Sequence, residues 1–280
     1  MKKTLLIIPL LLFLGFYRAG AQGKPETVKI ASFNIQIFGA AKMAKTEAAE
    51  LLAEIVSGFD MVAIQEVRSA GIEPVERFMA MLPERYGYVL GPREGRSSSK
   101  EQYWTIYDKT KFTALAQDVW PDADDIFERE PMAVYFKTAG TFDFILINNH
   151  IQPREARKEI AALPEVAAYY RELWKDPDLL ILGDFNADGQ YYDESLLAEV
   201  FPEGEYLIVI TNEYDTTLGA GNNTYDRFII SSSAREDYTG AFGVIRFDEV
   251  YDFSRRHITP REVSDHYPIW AEFWTNRDTD

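Results

Sequence analysis

The chain has no cysteine. A fold exported to an oxidising compartment would have to hold together without disulfides, and a lipid-anchored leader is excluded. Positive charge is scarce: 29 Lys and Arg stand against 45 Asp and Glu, a net charge of −16. That balance argues against tight, non-specific adhesion to nucleic acid, which wants a basic face. It leaves room for an enzyme that touches phosphates briefly through a few arginines and a metal. Histidine is scarcer still, with 3 in 280 residues. The long apolar run at Leu5–Phe16 is too short for a comfortable membrane span. No low-complexity linker or short-period repeat divides the chain.

What is present can build a core. Hydrophobic residues make up 46% of the chain and aromatic residues 14%, which excludes disorder. The length is that of one large domain or two small ones, and a domain of that size buries enough surface to dispense with disulfides. The opening MKKTLLIIPLLLFLGFYRAGAQ sets Lys2 and Lys3 before the apolar run and Ala19-Gly20-Ala21 after it. This is the pattern of a secretory signal peptide cut after Ala21. Residues 1–21 are thus expected to be a leader and 22–280 one domain. The product is expected to be secreted or periplasmic, a monomer with no stable membrane association.

Hydrophobic periodicity predicts strands and helices in mixed order. TVKIASFN opens the mature chain as a strand alternating towards Asn34. Lys42–Gly58 carries Leu51, Leu52, Ile55 and Val56 at helical spacing, with Gly58 as its stop. Asp60–Glu66 is a short buried strand, and Ile72–Leu82 a helix with Pro74 in its first turn. Strands are predicted at Tyr86–Leu90, Gln102–Tyr107, Phe112–Val119, Met132–Lys137 and Thr141–Asn148. Arg154–Trp174 is a long amphipathic helix in which Pro164 predicts a kink or a break. LLILG, from Leu179, is a buried strand that the chain leaves at Gly183. Asp184 and Asn186, two apart on an extended chain, point the same way. A short helix near Glu194–Phe201 and strands at Glu205–Ile210, Arg227–Ser231 and Ile269–Trp274 complete layered sheets flanked by helices.

Polar residues gather where these strands begin or end. Asn34 follows KIASF, Glu66 follows MVAIQ with Arg68 two positions on, and His150 follows FILINN. Asp184 and Asn186 follow LLILG, Asp226 precedes RFII, and Asp265 and His266 precede YPIWAEF. One such residue is an ordinary strand-to-loop event. Together they supply carboxylates, amides and imidazoles, a set able to hold a hard cation or a phosphate. Two of the three histidines lie at these junctions; His257, in SRRHITP, reads as an exposed loop residue.

Eight stretches run in one order along the mature chain: FNIQIFG from Phe33, IQEVR from Ile64, SKEQY from Ser99, EREP from Glu128, NHIQP from Asn149, GDFNAD from Gly183, TYDR from Thr224 and SDHYP from Ser264. In these the chain resembles the deoxyribonuclease I-like proteins of the endonuclease/exonuclease/phosphatase superfamily. The resemblance implies an α/β (α+β) fold, a sandwich of two packed, mostly antiparallel β-sheets flanked by helices, with the active site along one edge. It implies a metal-dependent endonuclease on double-stranded DNA that cuts with little sequence preference and leaves 5′-phosphates. Glu66, helped by Asn34, Asp184 and Asp265, would hold Mg²⁺ or Mn²⁺. His150 backed by Glu101, and His266 backed by Asp226, would be the catalytic imidazoles, each carboxylate fixing its ring's tautomer. Asp184 and Asn186 would also serve catalysis, Asn186 and Arg129 would contact the scissile phosphate, and Arg68 would read minor-groove width.

Several positions depart from the family pattern. Ser99 stands where a Tyr that packs on the sugar is expected, and Gln36 where a phosphate-contacting Arg is expected. Gly189 and Asn223 occupy the positions of a bridging disulfide. Asp215 and Thr217 match part of a structural calcium loop, but Gly219 and Gly221 lack the side chains expected, which counts against Ca²⁺ there. Relatives acting on sphingolipids or inositol phosphates share the catalytic set, so a phosphodiesterase or phosphatase on such a substrate is the alternative. A partner-delivered toxin subunit or an idle binding protein is a third, opposed by the completeness of the set.

Overall fold

Alternation along the strands sorts the apolar side chains into three layers, in a computed structural model that describes residues 27–280. The expected leader and its cleavage point lie outside the described residues. The strands are β1 (Thr27–Phe38), β2 (Met61–Val67), β3 (Tyr86–Leu90), β4 (Gln102–Asp108), β5 (Phe112–Val119), β6 (Met132–Thr138), β7 (Asp143–His150), β8 (Leu179–Asp184), β9 (Tyr206–Ile208), β10 (Asp226–Ser231), β11 (Tyr238–Val244) and β12 (Ile269–Trp274). They form two six-stranded sheets, ordered β11-β12-β1-β2-β4-β3 and β5-β6-β7-β8-β10-β9. Each sheet has one parallel pair, β1 with β2 and β7 with β8, and is otherwise antiparallel. This is the expected sandwich.

Between the sheets lie Val28, Ile30, Met61, Ala63, Phe144, Leu146, Leu180, Leu182, Phe228 and Phe273. The opposite face of β1 and β2, with Phe33, Ile35 and Ile64, is covered by α2 (Thr46–Val56) and α3 (Glu73–Met79) through Leu51, Leu52, Ile55 and Phe78. The outer face of β7 and β8 is covered by α4 (Ala156–Trp174) through Ile160, Leu163, Val166 and Tyr170. Burying each large side chain stabilises the fold by ~1.5–3 kcal/mol, and the central strands β1, β2, β7, β8 and β10 are buried on both faces in their middle stretches.

Several boundaries differ from the sequence pattern. The helix expected over Lys42–Gly58 is two, α1 (Ala40–Met43) and α2, because Lys45 leaves the helical region of φ and ψ. α4 runs unbroken through Pro164, since Leu163, Val166 and Ala167 around it are packed onto the sheet. Gly183 is not where the strand stops but lies inside β8, with φ +142. A Cβ there would sit 2.0 Å from the Asn149 carbonyl oxygen, so only glycine lets β7 and β8 approach at that level. Strand geometry ends at Asp184, and Asn186 is left-handed (φ 47), so the two do not continue one extended chain. β11 lies outside the strands that alternation predicts, because Gly240 and Gly243 interrupt its apolar pattern. The short helices α5 (Leu197–Val200), α6 (Phe247–Val250), α7 (Phe253–Arg256) and α8 (Pro260–Val263) line the remaining connections.

The inward face of the central strands turns from apolar to polar towards one edge. β1 passes from Val28 and Ile30 to Ser32 and Asn34, β2 from Met61 and Ala63 to Gln65, and β7 from Phe144 and Leu146 to Asn148 and His150. Gln65 Nε2 donates to Asn148 Oδ1 at 2.7 Å, Asn148 Nδ2 donates to the Ile64 carbonyl, and Gln65 also meets Ser32. This seam of satisfied amides is the polar floor on which the sheet edges meet.

Candidate active site

Strand register assembles the edge. His150 pairs in register with Asp184 across β7 and β8, and Asp226 with Asp184 across β10 and β8. Asn34 arrives from the other sheet: its Nδ2 donates to Asp184 Oδ2 at 2.9 Å and to Glu66 Oε1 at 3.2 Å. The same Asp184 oxygen lies 3.4 Å from His150 Nε2 and 3.6 Å from His266 Nε2. Behind the rings, His150 Nδ1 lies 2.8 Å from Glu101 Oε2, and His266 Nδ1 lies 2.8 Å from Asp226 Oδ2. Each imidazole is thus held between a carboxylate at its back and one shared carboxylate in front.

The electrostatics follow from burial and these pairings. Burial opposes the charge of Glu101, yet His150, Arg129 and Arg68 hold it down at about 2. Burial opposes the charge of Asp184 as well, but His266, His150 and the Asn34 amide hold it below the usual carboxylate range. At the third acid burial wins and pushes Asp226 up. His266, against its burial, is raised to about 10 by Asp226 and Asp184. The buried pair therefore keeps a proton between Asp226 and the ring.

Glu66 and its neighbours show how the backbone is bent to serve this edge. Gln36, Ile37, Glu66 and Asn186 all have φ between 45 and 64, a conformation costing ~1–3 kcal/mol each for residues other than glycine. The bend aims the Ile37 N–H at Glu66 Oε2, 2.9 Å away, and lets Gln36 Nε2 donate to Asp265 Oδ2 at 2.8 Å. Asn186 N donates to Asp184 Oδ1, and Asn186 Nδ2 donates to the Ile151 carbonyl. Among the four residues grouped from sequence as metal ligands, hydrogen bonds join Asn34, Glu66 and Asp184, while Asp265 accepts from Gln36. The tightest group of acid and imidazole ligand atoms at this edge is Asp184, Asp226 and His266, within 4.8 Å of one another.

Two arginines border the site. Arg129 Nε donates to the His150 carbonyl at 3.0 Å, while its buried NH2 has no hydrogen-bond partner among the described residues. Arg68 bridges Glu66 at 3.1 Å and Glu101 at 2.9 Å, and its NH1 donates to Ser99 Oγ. The calcium-like loop is closed by the protein's own donors: Asp215 Oδ1 accepts from the Thr217 and Asn223 backbones, and Oδ2 faces Arg246. A Cβ at Gly189 would lie 3.4 Å from Asn223 Oδ1, so these two positions are neighbours without a covalent link.

Some positioning residues carry no local signal. The Tyr103 hydroxyl accepts from the His150 N–H, and Ser264 Oγ donates to the Asn34 carbonyl while accepting from the His266 N–H. Lys42 Nζ donates to the carbonyls of Ile35 and Val263, tying the β1 end to the segment that carries Asp265 and His266. Burial lowers Lys42 to about 8 against the pull of Asp265 and Glu66. Lys42→Met is expected to cost ~2 kcal/mol or more, because two carbonyls lose their donor. Denaturant unfolding measures this, and a loss of only ~0.5 kcal/mol would show that the tie is idle.

An open sandwich with two carboxylate-backed imidazoles around one acid is a hydrolase's arrangement. The chain matches the Endonuclease/Exonuclease/phosphatase family over residues 31–266. It is 30% identical to deoxyribonuclease-1-like 2 of Mus musculus, over 89% of this chain and 92% of that protein. It is also 30% identical to deoxyribonuclease-1 of Bos taurus, over 96% and 98%. A mannosyl-6-phosphatase structure from Bacteroides thetaiotaomicron shares the fold with a TM-score of 0.61 at 17% identity, over 88% of this chain and 99% of that one. The chain belongs to the endonuclease/exonuclease/phosphatase family as a deoxyribonuclease I-like member, a hydrolase of phosphodiester bonds.

Proposed function

We propose that this protein is a secreted, metal-dependent endonuclease that hydrolyses double-stranded DNA with little sequence preference and leaves 5′-phosphates. The observation that carries the proposal is the shared Asp184 oxygen, 3.4 Å and 3.6 Å from the Nε2 atoms of two imidazoles that each have a carboxylate behind them. Two proton-handling groups facing one point suit an in-line displacement at phosphorus. One ring accepts a proton from the attacking water and the other donates one to the departing 3′ oxygen. Glu101 and Asp226 keep the Nδ1 side of each ring engaged, leaving Nε2 to exchange protons. Arg129, whose buried Nη2 has no acceptor among the described residues, donates to a phosphate oxygen, with Asn186 beside it.

The donor set fits a hard divalent cation. Glu66 and Asp184 face one another across a single neutral amide, Asn34, an arrangement of oxygen-bearing groups that a positive charge relieves. Glu66, Asn34, Asp184 and Asp265 would hold Mg²⁺ or Mn²⁺, which when bound neutralises phosphoryl charge. Arg68 sits at the rim, 29% exposed, where a guanidinium reads groove width in place of base identity.

Incubation with supercoiled plasmid, beside a sphingomyelin assay, tests this. Nicked and then linear DNA is expected with Mg²⁺ and neither product after chelation. Lipid turnover without nicking would overturn the DNA substrate while leaving the catalytic set in place.

A further inference from the structure

A second acidic cluster lies at the end of β8 opposite Asp184, about 20 Å away at the strand rise of ~3.3 Å per residue. Asp178 immediately precedes β8, Asp237 precedes β11, and Asp278 and Asp280 follow β12. One carboxylate oxygen each of Asp178, Asp278 and Asp280 lies within 4.8 Å of the others. With Asp237, Glu236, Ser232 and Ser233 these residues border a pocket of about 250 Å³ that no Lys or Arg lines. The Asp178 and Asp237 side chains belong to residues only 2% and 1% exposed, yet each keeps its Oδ1 without a hydrogen-bond donor among the described residues.

Such an arrangement is costly unless something positive enters. A buried carboxylate oxygen left without a donor is destabilising, and here two border one pocket. The chain's own donors relieve it only in part: the Asp143 and Asp280 N–H groups donate to the Asp278 carboxylate, while Asp178 Oδ1 and Asp237 Oδ1 gain no donor. Ser233 Oγ donates to the Pro177 carbonyl, Arg235 donates to the carbonyls of Glu203 and Tyr206, and Arg277 lies over the Trp274 ring. What remains is a set of hard oxygens, partly buried and partly open to solvent.

We propose that this pocket is a calcium site, separate from the catalytic edge, with Asp178, Asp278 and Asp280 as ligands and Asp237 facing the ion. Calcium accepts six to eight oxygens at irregular angles, whereas Mg²⁺ demands a near-octahedral frame that this mixture of buried and exposed acids does not offer. The site joins the entry to β8 and the β10–β11 connection to the segment after β12, so a bound ion clamps the two sheets together at the end remote from the active site.

The test is calcium titration of the full chain by calorimetry, with thermal unfolding in chelator and in saturating Ca²⁺. Calcium is expected to raise the midpoint by about 5 °C. The double variant Asp278→Asn/Asp280→Asn, at one half-buried and one exposed position, should lose that rise and one bound ion while keeping Mg²⁺-dependent hydrolysis. In chelator it should be at least as stable as the parent, because like charges have been removed. Asp178→Asn should behave alike, and if it fails to fold the double variant decides. An equal calcium response in parent and double variant, or an equal response to Mg²⁺, would overturn the proposal.

Discussion

Replacing His266 with alanine is expected to lower phosphodiester hydrolysis roughly a thousandfold, and His150→Ala should do the same. Each ring is the sole imidazole on its side of Asp184 Oδ2, and water cannot be held with a carboxylate behind it in the same way. The fold should survive. In His266→Ala the buried Asp226, already pushed up by burial, takes up a proton instead of remaining as an unpaired charge. If both rings serve one displacement, as proposed, the double variant should be little worse than either single one. Initial rates on plasmid, with circular dichroism and thermal midpoints as controls, measure this. Activity within tenfold of the parent in either single variant would remove that ring from the catalytic set.

How much of this was legible in the sequence depends on how local each signal is. Strand-end residues such as Asn34, His150 and Asp184 stand out because an apolar run breaks into a polar side chain on the inward face. The same alternation places Gln65 and Asn148 on that face, although nothing local shows that their amides meet across the sheets, 83 residues apart. Glu101 and Arg129 sit outside such runs, and only the resemblance points to them. Lys42 is invisible as a tie, since its acceptors are backbone carbonyls, one of them 221 residues away. Pro164 and Gly183 misled for opposite reasons. Tertiary packing carries α4 through a residue that breaks isolated helices, and the close approach of Asn149 requires a glycine where local rules end a strand. The acidic pocket draws on Asp178, Asp237, Asp278 and Asp280, scattered over three segments, and becomes a site only once both sheets are in place.

Asp184→Asn should also cost roughly a thousandfold in rate, although it changes a single atom of a buried side chain. The carboxylate has three duties at once. Its Oδ2 accepts from Asn34, faces both imidazoles, and belongs with Glu66 to the acids proposed to hold the cation. An amide at that position can turn either its oxygen or its NH₂ towards Asn34 and the rings, and neither choice keeps the negative charge. His266 then loses one of the three carboxylates that raise it, keeping Asp226 behind the ring and Asp265. The loss should appear mainly in kcat, since the contacts proposed for Arg68 and Arg129 with substrate are untouched. Mg²⁺ titration should show a weaker apparent affinity for the activating ion. A variant that kept kcat within tenfold and an unchanged Mg²⁺ requirement would mean that the charge at Asp184 organises the edge without taking part in the displacement. Glu66 and the two imidazoles would then have to hold both cation and phosphate between them.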